Sequence, residues 1–254
     1  MMHPFMFQTQ LNIKRLILRN IKSVIFGLIF PIFFYVLYTK IFTMPMALEA
    51  LKVWQVDYML SMMIYGILIT GITNVSTSLQ QDHQNKFDLF VELSPSPKWQ
   101  YQLSVILSYC GFYMLLIGIL GLCAYVVNGV TLGVMEWLGM VLILLILVIP
   151  FSLIGVAISL AGNSSAVNIL GNLCSFPLAI VGGLWWPLEM MPSWIVNIGK
   201  QLPTNQGLIL IKEWVHEQSI NVPALIGIGL WILLLIGIIV IIQVMIKQKE
   251  SYVI

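Results

Sequence analysis

The sequence has very little charge for its length: Asp, Glu, Lys and Arg make up 9% of its 254 residues. Soluble domains carry about 25%, so this scarcity excludes a chain whose surface is covered mainly by water. The formal net charge is only +2, which gives no reason to expect a nucleic-acid partner. Hydrophobic residues make up 59% of the sequence, and this share indicates a membrane protein.

The sequence also lacks the motifs of enzymes and of nucleotide or metal sites. It contains no G-x-x-x-x-G-K-[ST] phosphate loop, no G-x-S-x-G and no H-E-x-x-H. The few histidines and cysteines are dispersed, and the cysteines lie in apolar stretches without paired spacing: His3, His83, His216, Cys110, Cys123 and Cys174. We therefore expect no enzymatic activity, no bound metal or cofactor, and cysteines that are buried free thiols.

Six long apolar stretches predict an all-α, polytopic membrane protein, because a helix of about 20 apolar residues crosses a bilayer. They lie at residues 24–42, 56–79, 101–127, 134–160, 166–186 and 224–246 of a single transmembrane domain that spans 1–254. The runs are continuous, whereas a membrane barrel would show alternation. More Lys and Arg lie on the side of the two termini than on the other, so the positive-inside rule predicts cytoplasmic termini. The composition is compatible with a bacterial cell membrane.

Residues 1–23, before the first span, carry a regular polar stripe. Its members recur at spacings of three and four, which places them on one face of a helix: Gln8, Asn12, Arg15, Arg19 and Lys22. A basic amphipathic helix of this kind lies in the membrane interface, so lipid is its expected partner. The alternative is a simple topology anchor with no further role.

The connection between the second and third spans, residues 80–100, holds the densest cluster of charge in the sequence and is predicted to be cytoplasmic. A short helix in it would end at Pro95, because the residue before a proline disfavours helix. Such a charged and partly apolar element suits docking to a partner protein. The alternative is an ordinary solvated connector.

Residues 187–223, between the fifth and sixth spans, are too apolar for a free loop and are interrupted by proline and tryptophan. Broken helices at membrane depth need protein or a water-filled cavity to cover their backbone. We therefore predict two short helical pieces that dip into the outer leaflet as a re-entrant pair. The alternative is a belt of aromatic residues at the membrane surface.

At these residues the sequence resembles the permeases of type-2 ABC exporters, and the resemblance covers essentially the whole chain. The stretch RNIKSVIFGLIFPIFFYVLY is similar to the connecting helix and first span of that family, and Ser94-Pro95 to the Thr/Ser-Pro after its cytoplasmic coupling element. The extracellular signature is matched by Gly182-Gly183, Pro187, Met191-Pro192, Trp194 and Leu202-Pro203. The chain departs from the family at residues 80–83, where the common Arg-Glu-x-Gly-Thr stretch is missing.

The resemblance implies the membrane-spanning subunit of an ATP-driven exporter, with ATP and magnesium bound by a separate ATPase subunit. It also implies a second permease copy or a sister permease. The residues expected to couple to the ATPase are Asp82, Lys86, Asp88, Glu92, Pro95 and Lys98, and Arg15, Arg19 and Lys22 belong to the interfacial helix. The outer gate is expected at Trp185, Trp186, Pro187, Met190, Met191, Pro192 and Trp194.

The scarcity of charge inside the spans indicates an amphipathic or apolar cargo, such as a drug, a peptide or a lipid-like molecule. An ion-coupled carrier would bury acids or bases inside spans, whereas Asp57 and Glu136 lie near span ends and are expected to be solvated. The remaining alternative is a non-transporting assembly or sensor subunit that recruits a partner complex.

Uncharged polar residues are concentrated in two of the spans. The second span holds Thr70, Thr73, Asn74, Ser76 and Thr77, and the start of the fifth holds Asn163, Ser164, Ser165, Asn168 and Asn172. The second set has two interpretations: it lines a translocation path, or it forms hydrogen bonds with a neighbouring helix, which is the more common role of such groups.

Overall fold

The computed structural model describes residues 4–15, 21–42, 47–87 and 98–251, and the regular elements in that part of the chain are all helical. This confirms the all-α prediction for those residues. The helices are α1 Pro4–Ile13, α2 Ile21–Val36, α3 Leu48–Ile69, α4 Val75–Gln84, α5 Lys98–Ser108, α6 Cys110–Asn128, α7 Val134–Ser159, α8 Ser164–Val181, α9 Ser193–Gly199, α10 Pro203–Glu217 and α11 Val222–Ser251. Shorter turns are the π-helical Leu37–Ile41 and Thr70–Asn74 and the 3-10 turn Leu188–Met190.

Several of these helices are long and apolar enough to cross a membrane. In the described part of the chain, five stretches meet that criterion: Leu48–Gln84, Trp99–Asn128, Val134–Ser159, Ser164–Val181 and Val222–Ile246. The first predicted span corresponds to the apolar helix Gly27–Ile41, which is shorter than the 18 residues that define the other five. A multi-pass membrane architecture is therefore supported, and the count of six spans stays a prediction.

The helix that contains the second predicted span is longer than its apolar core. It runs through α3, the turn Thr70–Asn74 and α4 to Gln84, so the first residues of the predicted loop 80–100 are helical. The helix continues past the apolar run because its polar side chains find partners inside the protein. Gln80 Nε2, for example, donates a hydrogen bond to the carbonyl oxygen of Gly162 at 3.2 Å. Residues 88–97 of the loop lie outside the described residues.

Two other boundaries differ from the prediction for local reasons. Helix α8 ends at Val181, before the predicted 186, because Gly183 takes a positive φ of 79° that turns the chain away. Helix α8 begins where the Asn163 side chain accepts a hydrogen bond from the N–H of Ala166 at 2.7 Å, an N-cap. The predicted re-entrant region 187–223 contains the turn Leu188–Met190 and the helices α9 and α10. Its depth in the membrane stays a prediction.

The bundle is organised around α3, which packs against α2, α6, α7 and α10. Of the 18 most apolar consecutive residues in the stretch Leu48–Gln84, which begins with α3, 83% are buried inside the protein. The corresponding share for α11 is 17%. Helix α3 is therefore the centre of the fold and α11 lies at its edge. The three cysteines, on α6 and α8, are free thiols and only partly buried.

The π-helical turn Thr70–Asn74 is in close backbone contact with α7. A Cβ atom added to Gly155 would lie 2.4 Å from the carbonyl oxygen of Gly71, which is closer than atoms can approach. On the other side, small residues of α8 form its buried face, at intervals of four: Val167, Gly171, Ser175 and Ala179. Small residues let membrane helices approach closely, so the turn is held between α7 and α8.

Helix α1 has its polar stripe on the side that faces the protein. Asn12 is only 4% exposed and its Nδ2 donates to Ser104 Oγ of α5 at 2.9 Å. The apolar residues Met6 and Leu11 are instead 57% and 51% exposed. Two residues of the predicted stripe thus face the protein, since Asn12 contacts α5 and Arg15 contacts Asp82 at the end of α4. The placement of α1 in the membrane interface stays a prediction. Arg19 lies outside the described residues, and Lys22 lies in α2.

Candidate translocation groove and its flanking clusters

A groove of about 280 Å³ lies between α2, the α3–α4 helix and α8. Among the described residues, none with a charged side chain lines it; the lining consists of Gly27, Phe30, Pro31, Phe34, Tyr65, Ile69, Thr73, Thr77, Val167, Asn168, Asn172, Phe176 and Trp185. Since α3 and α8 run in opposite directions, Thr73 and Thr77 lie at the same end of the groove as Asn168. Aromatic rings line the other end. The groove therefore has a polar end and an aromatic end.

The π-helical turn explains why four residues of one helix line the groove at a constant spacing of four. Each step of four residues in an α-helix overshoots one turn by about 40°, so Tyr65, Ile69, Thr73 and Thr77 would drift around a regular helix. The wider π turn between residues 70 and 74 reduces that drift. The two threonine hydroxyls bond back to carbonyl oxygens of the preceding turn, Thr73 to Ile69 at 2.6 Å and Thr77 to Thr73 at 2.7 Å.

Asn168 and Asn172 lie on the exposed side of α8 and line the groove. Among the described residues, neither amide forms a hydrogen bond with a neighbouring helix. That these residues line a translocation path stays a prediction. Asn163 of the same polar set has a different role, since it caps α8. The amides of Asn168 and Asn172 are available to a molecule in the groove.

Trp185 closes the aromatic end of the groove. Its ring centroid lies 5.2 Å from that of Phe34 on α2, 5.5 Å from that of Tyr65 on α3 and 5.9 Å from that of Phe176 on α8. One side chain thus contacts all three walls. Aromatic pairs at such distances are worth about 0.5–1.5 kcal/mol each beyond their burial.

A second cavity, of about 360 Å³, lies on the far side of Trp185. Four of the residues expected at the outer gate line it, together with Tyr38, Phe42 and Trp54: Trp185, Trp186, Pro187 and Met190. Met191, Pro192 and Trp194 line neither this cavity nor the groove. Trp194, on α9, is 65% exposed. Of the residues expected at the outer gate, four therefore line a cavity, and the other three lie outside both cavities.

A charged cluster joins α1 to the end of α4. Arg15 forms a bidentate salt bridge with Asp82, with Nη1–Oδ1 at 2.5 Å and Nη2–Oδ2 at 2.7 Å. The Tyr101 hydroxyl donates to the same carboxylate, and the Arg15 guanidinium lies 5.4 Å from the Phe87 ring centroid. Burial lowers the pKa of Arg15, but the hydrogen bond and charge of Asp82 more than offset it, and the pKa is raised above its ordinary value.

The other residues expected to couple to the ATPase are placed less fully. Lys86 is exposed at the end of α4, with a φ of 57°, and Lys98 is the first residue of α5. Asp88, Glu92 and Pro95 lie outside the described residues. Asp82 itself is buried and paired with Arg15, which sequence spacing did not indicate.

A second ionic cluster joins α3 to α10. The carboxylate of Asp57 contacts Lys212 Nζ at 2.9 Å and His216 Nε2 at 2.7 Å, both on α10. Asp57 is thus partly solvated, with a side chain that is 21% exposed, and it also joins two helices, which the sequence did not predict. The signal in the sequence that could have indicated these ion pairs is an acidic residue within an apolar segment. Glu136 instead accepts a hydrogen bond from the N–H of Gly133 at the start of α7.

A model of the ABC-2 type transporter family matches residues 7–210 of the chain. The chain therefore belongs to that family, and the resemblance stated from its sequence is confirmed. It is also 27% identical over 197 residues to a protein of Bacillus subtilis (strain 168) named "Putative transport permease YvfS". That match covers 78% of this chain and 79% of the relative. The family implies a transporter permease that works with an ATPase partner.

Proposed function

We propose that the chain is the membrane-spanning half of an ATP-driven exporter and that its cargo moves along the groove between α2, α3 and α8. The observation that carries this proposal is the lining of the groove, which in the described part of the chain contains amides and hydroxyls at one end, aromatic rings at the other and no charge. Such a surface is complementary to an amphipathic or apolar molecule, such as a drug, a peptide or a lipid-like compound.

Trp185 is the gate in this proposal. It lies between the groove and the outer cavity and lines both, so a cargo that passes from one to the other displaces its ring. Its contacts with Phe34, Tyr65 and Phe176 hold the closed position. Because these contacts join three helices, a relative movement of α2, α3 and α8 breaks them together.

ATP and magnesium bind to a separate ATPase subunit that docks at the cytoplasmic segment 80–100. The predicted contacts are still Lys86, Asp88, Glu92, Pro95 and Lys98, together with Asp82, which is paired with Arg15. The salt bridge between Arg15 and Asp82 connects this region to α1 and supports the transmission of movement into the bundle. The exposed apolar face of α8, with Ile169 58% and Leu173 64% exposed, is available to a second permease copy or a sister permease.

The test is ATP-dependent transport of amphipathic fluorescent dyes by the chain and its ATPase, reconstituted together in lipid vesicles. Removing the gate by Trp185→Ala deletes four ring contacts, three of them with the groove walls, and should lower coupled transport by about tenfold, which corresponds to about 1.4 kcal/mol. Trp194→Ala is the matched control, because Trp194 is exposed and lines neither cavity.

Equal transport by the two variants would contradict the role of Trp185. ATP hydrolysis by the pair without movement of any dye would favour a non-transporting assembly or sensor subunit instead.

A further inference from the structure

A third pocket, of about 170 Å³, lies beside the gate between α3, α10 and the segment 183–189. Each helix contributes residues at spacings of three and four, which share one helix face. From α3 these are Trp54, Asp57, Tyr58 and Ser61, and from α10 Asn205, Leu208, Ile209 and Lys212. Two helix faces and a turn therefore build this pocket.

Three buried polar atoms of the pocket residues have no hydrogen-bond partner among the described residues: the Tyr58 hydroxyl, Asn205 Oδ1 and Trp185 Nε1. Tyr58 is 2% exposed and Asn205 6%. Asn205 Nδ2 donates to the carbonyl oxygen of Gly182 at 3.3 Å, which orients the amide and leaves Oδ1 as the open acceptor. Leaving a buried polar group unpaired costs roughly 1–3 kcal/mol, so the two oxygen atoms indicate an occupant that donates hydrogen bonds. Trp185 Nε1 is a donor and has no part in binding such an occupant.

The pocket carries more negative than positive charge. In the described part of the chain, two carboxylates, those of Asp57 and Glu189, line it against one ammonium group, that of Lys212. Asp57 already forms ion pairs with Lys212 and His216. Glu189 has no ion pair among the described residues, so one negative charge remains uncompensated when His216 is neutral. A cationic occupant would balance it.

Aromatic rings surround the same space. Trp54, Tyr58, Trp185 and Trp186 all line the pocket, and the rings of Trp54 and Tyr58 lie 5.0 Å apart between centroids. The face of an aromatic ring attracts an ammonium group by about 0.5–2 kcal/mol, more strongly when water is excluded. A neutral hydroxyl compound would donate to the open acceptors and accept from Trp185 Nε1, but it would use neither the negative charge nor the ring faces.

We propose that this pocket binds a primary ammonium group, which donates hydrogen bonds to Asn205 Oδ1 and the Tyr58 hydroxyl among the surrounding aromatic rings. A small free amine and the ethanolamine head group of a lipid both carry this group. This binding requires neither the ATPase nor transport. A failure to bind an ammonium group would therefore not contradict the proposed function, and a failure to transport would not contradict the binding.

The experiment measures binding of propylammonium to the purified full chain in phosphatidylcholine nanodiscs by saturation-transfer NMR, with 1-propanol as the neutral probe of the same carbon chain. We expect saturable binding of propylammonium and none of 1-propanol. Tyr58→Phe removes only the hydroxyl and should weaken binding about tenfold, because hydrogen bonds to charged groups are the stronger ones. Glu189→Gln, at an exposed position, should weaken it as well.

Tyr113→Phe is the matched control, because Tyr113 is fully buried in the bundle and does not line the pocket. Equal binding of the two probes, equal affinity in Tyr58→Phe and Tyr113→Phe, or no saturable binding of propylammonium would each overturn the proposal. Adding phosphatidylethanolamine to the nanodiscs distinguishes the two sources of the ammonium group. If the natural occupant is the lipid head group, the lipid competes and the apparent affinity for propylammonium falls. If the natural occupant is a free amine, the affinity for propylammonium stays unchanged.

Discussion

The salt bridge between Arg15 and Asp82 should hold α1 against the end of α4, and its removal should loosen α1 selectively. Removing one partner of a fully buried ion pair costs about 3–5 kcal/mol, because the other charge stays buried without compensation. The Asp82 side chain is 8% exposed but that of Arg15 is 35%, so solvent screening reduces the cost. We expect Arg15→Met to destabilise the docking of α1 by about 2 kcal/mol.

Hydrogen–deuterium exchange of the backbone amides of α1 measures this loss directly. At 1.4 kcal/mol for each factor of ten, Arg15→Met should speed the exchange of these amides roughly thirtyfold. The amides of α7 should keep their protection, since that helix lies elsewhere in the bundle. Lys14→Met is the matched control, because Lys14 is the preceding basic residue and is exposed.

The double variant Arg15→Met/Asp82→Leu sharpens the test. It removes the buried charge together with its partner, and replacing both members of a buried pair by apolar groups is often nearly neutral. We expect it to recover part of the protection lost in Arg15→Met, although the Tyr101 hydroxyl loses its acceptor. Identical exchange in Arg15→Met and Lys14→Met would refute the reasoning.

Two further predictions concern packing and accessibility. Gly155→Ala introduces a Cβ that would meet a backbone oxygen of the π turn at 2.4 Å, so we expect about 1–3 kcal/mol of destabilisation and a lower Tm. Gly118→Ala, with nothing within 4 Å, is the control and should leave the Tm unchanged or raise it slightly, because alanine favours the helix more than glycine does. Equal Tm values of the two variants would show that the π turn tolerates the added atom. In a background without native cysteines, Met190→Cys should react with a membrane-impermeant thiol reagent added outside, because Met190 is 58% exposed, whereas Ser175→Cys, fully buried, should not. Labelling of Met190→Cys only after the membrane is opened would place it on the other side.

The helices could be predicted from sequence because an apolar run of bilayer length requires a helix whatever surrounds it. The family resemblance also followed from local features, such as the order of Gly182-Gly183, Pro187 and Trp194. Helix ends were less predictable. Helix α4 extends beyond the apolar run because Gln80 and Asp82 find partners on distant segments, which local composition does not reveal.

The sequence by itself thus determined the class of the protein, the approximate helices and the residues eligible for a gate. Only the tertiary structure decided which of them meet. Trp185 reaches Phe34, Arg15 reaches Asp82 across 67 positions, and His216 reaches Asp57 across 159. The reason is physical: helical periodicity sets which residues share a face, whereas pairings between faces depend on how close-packed helices come to rest against one another.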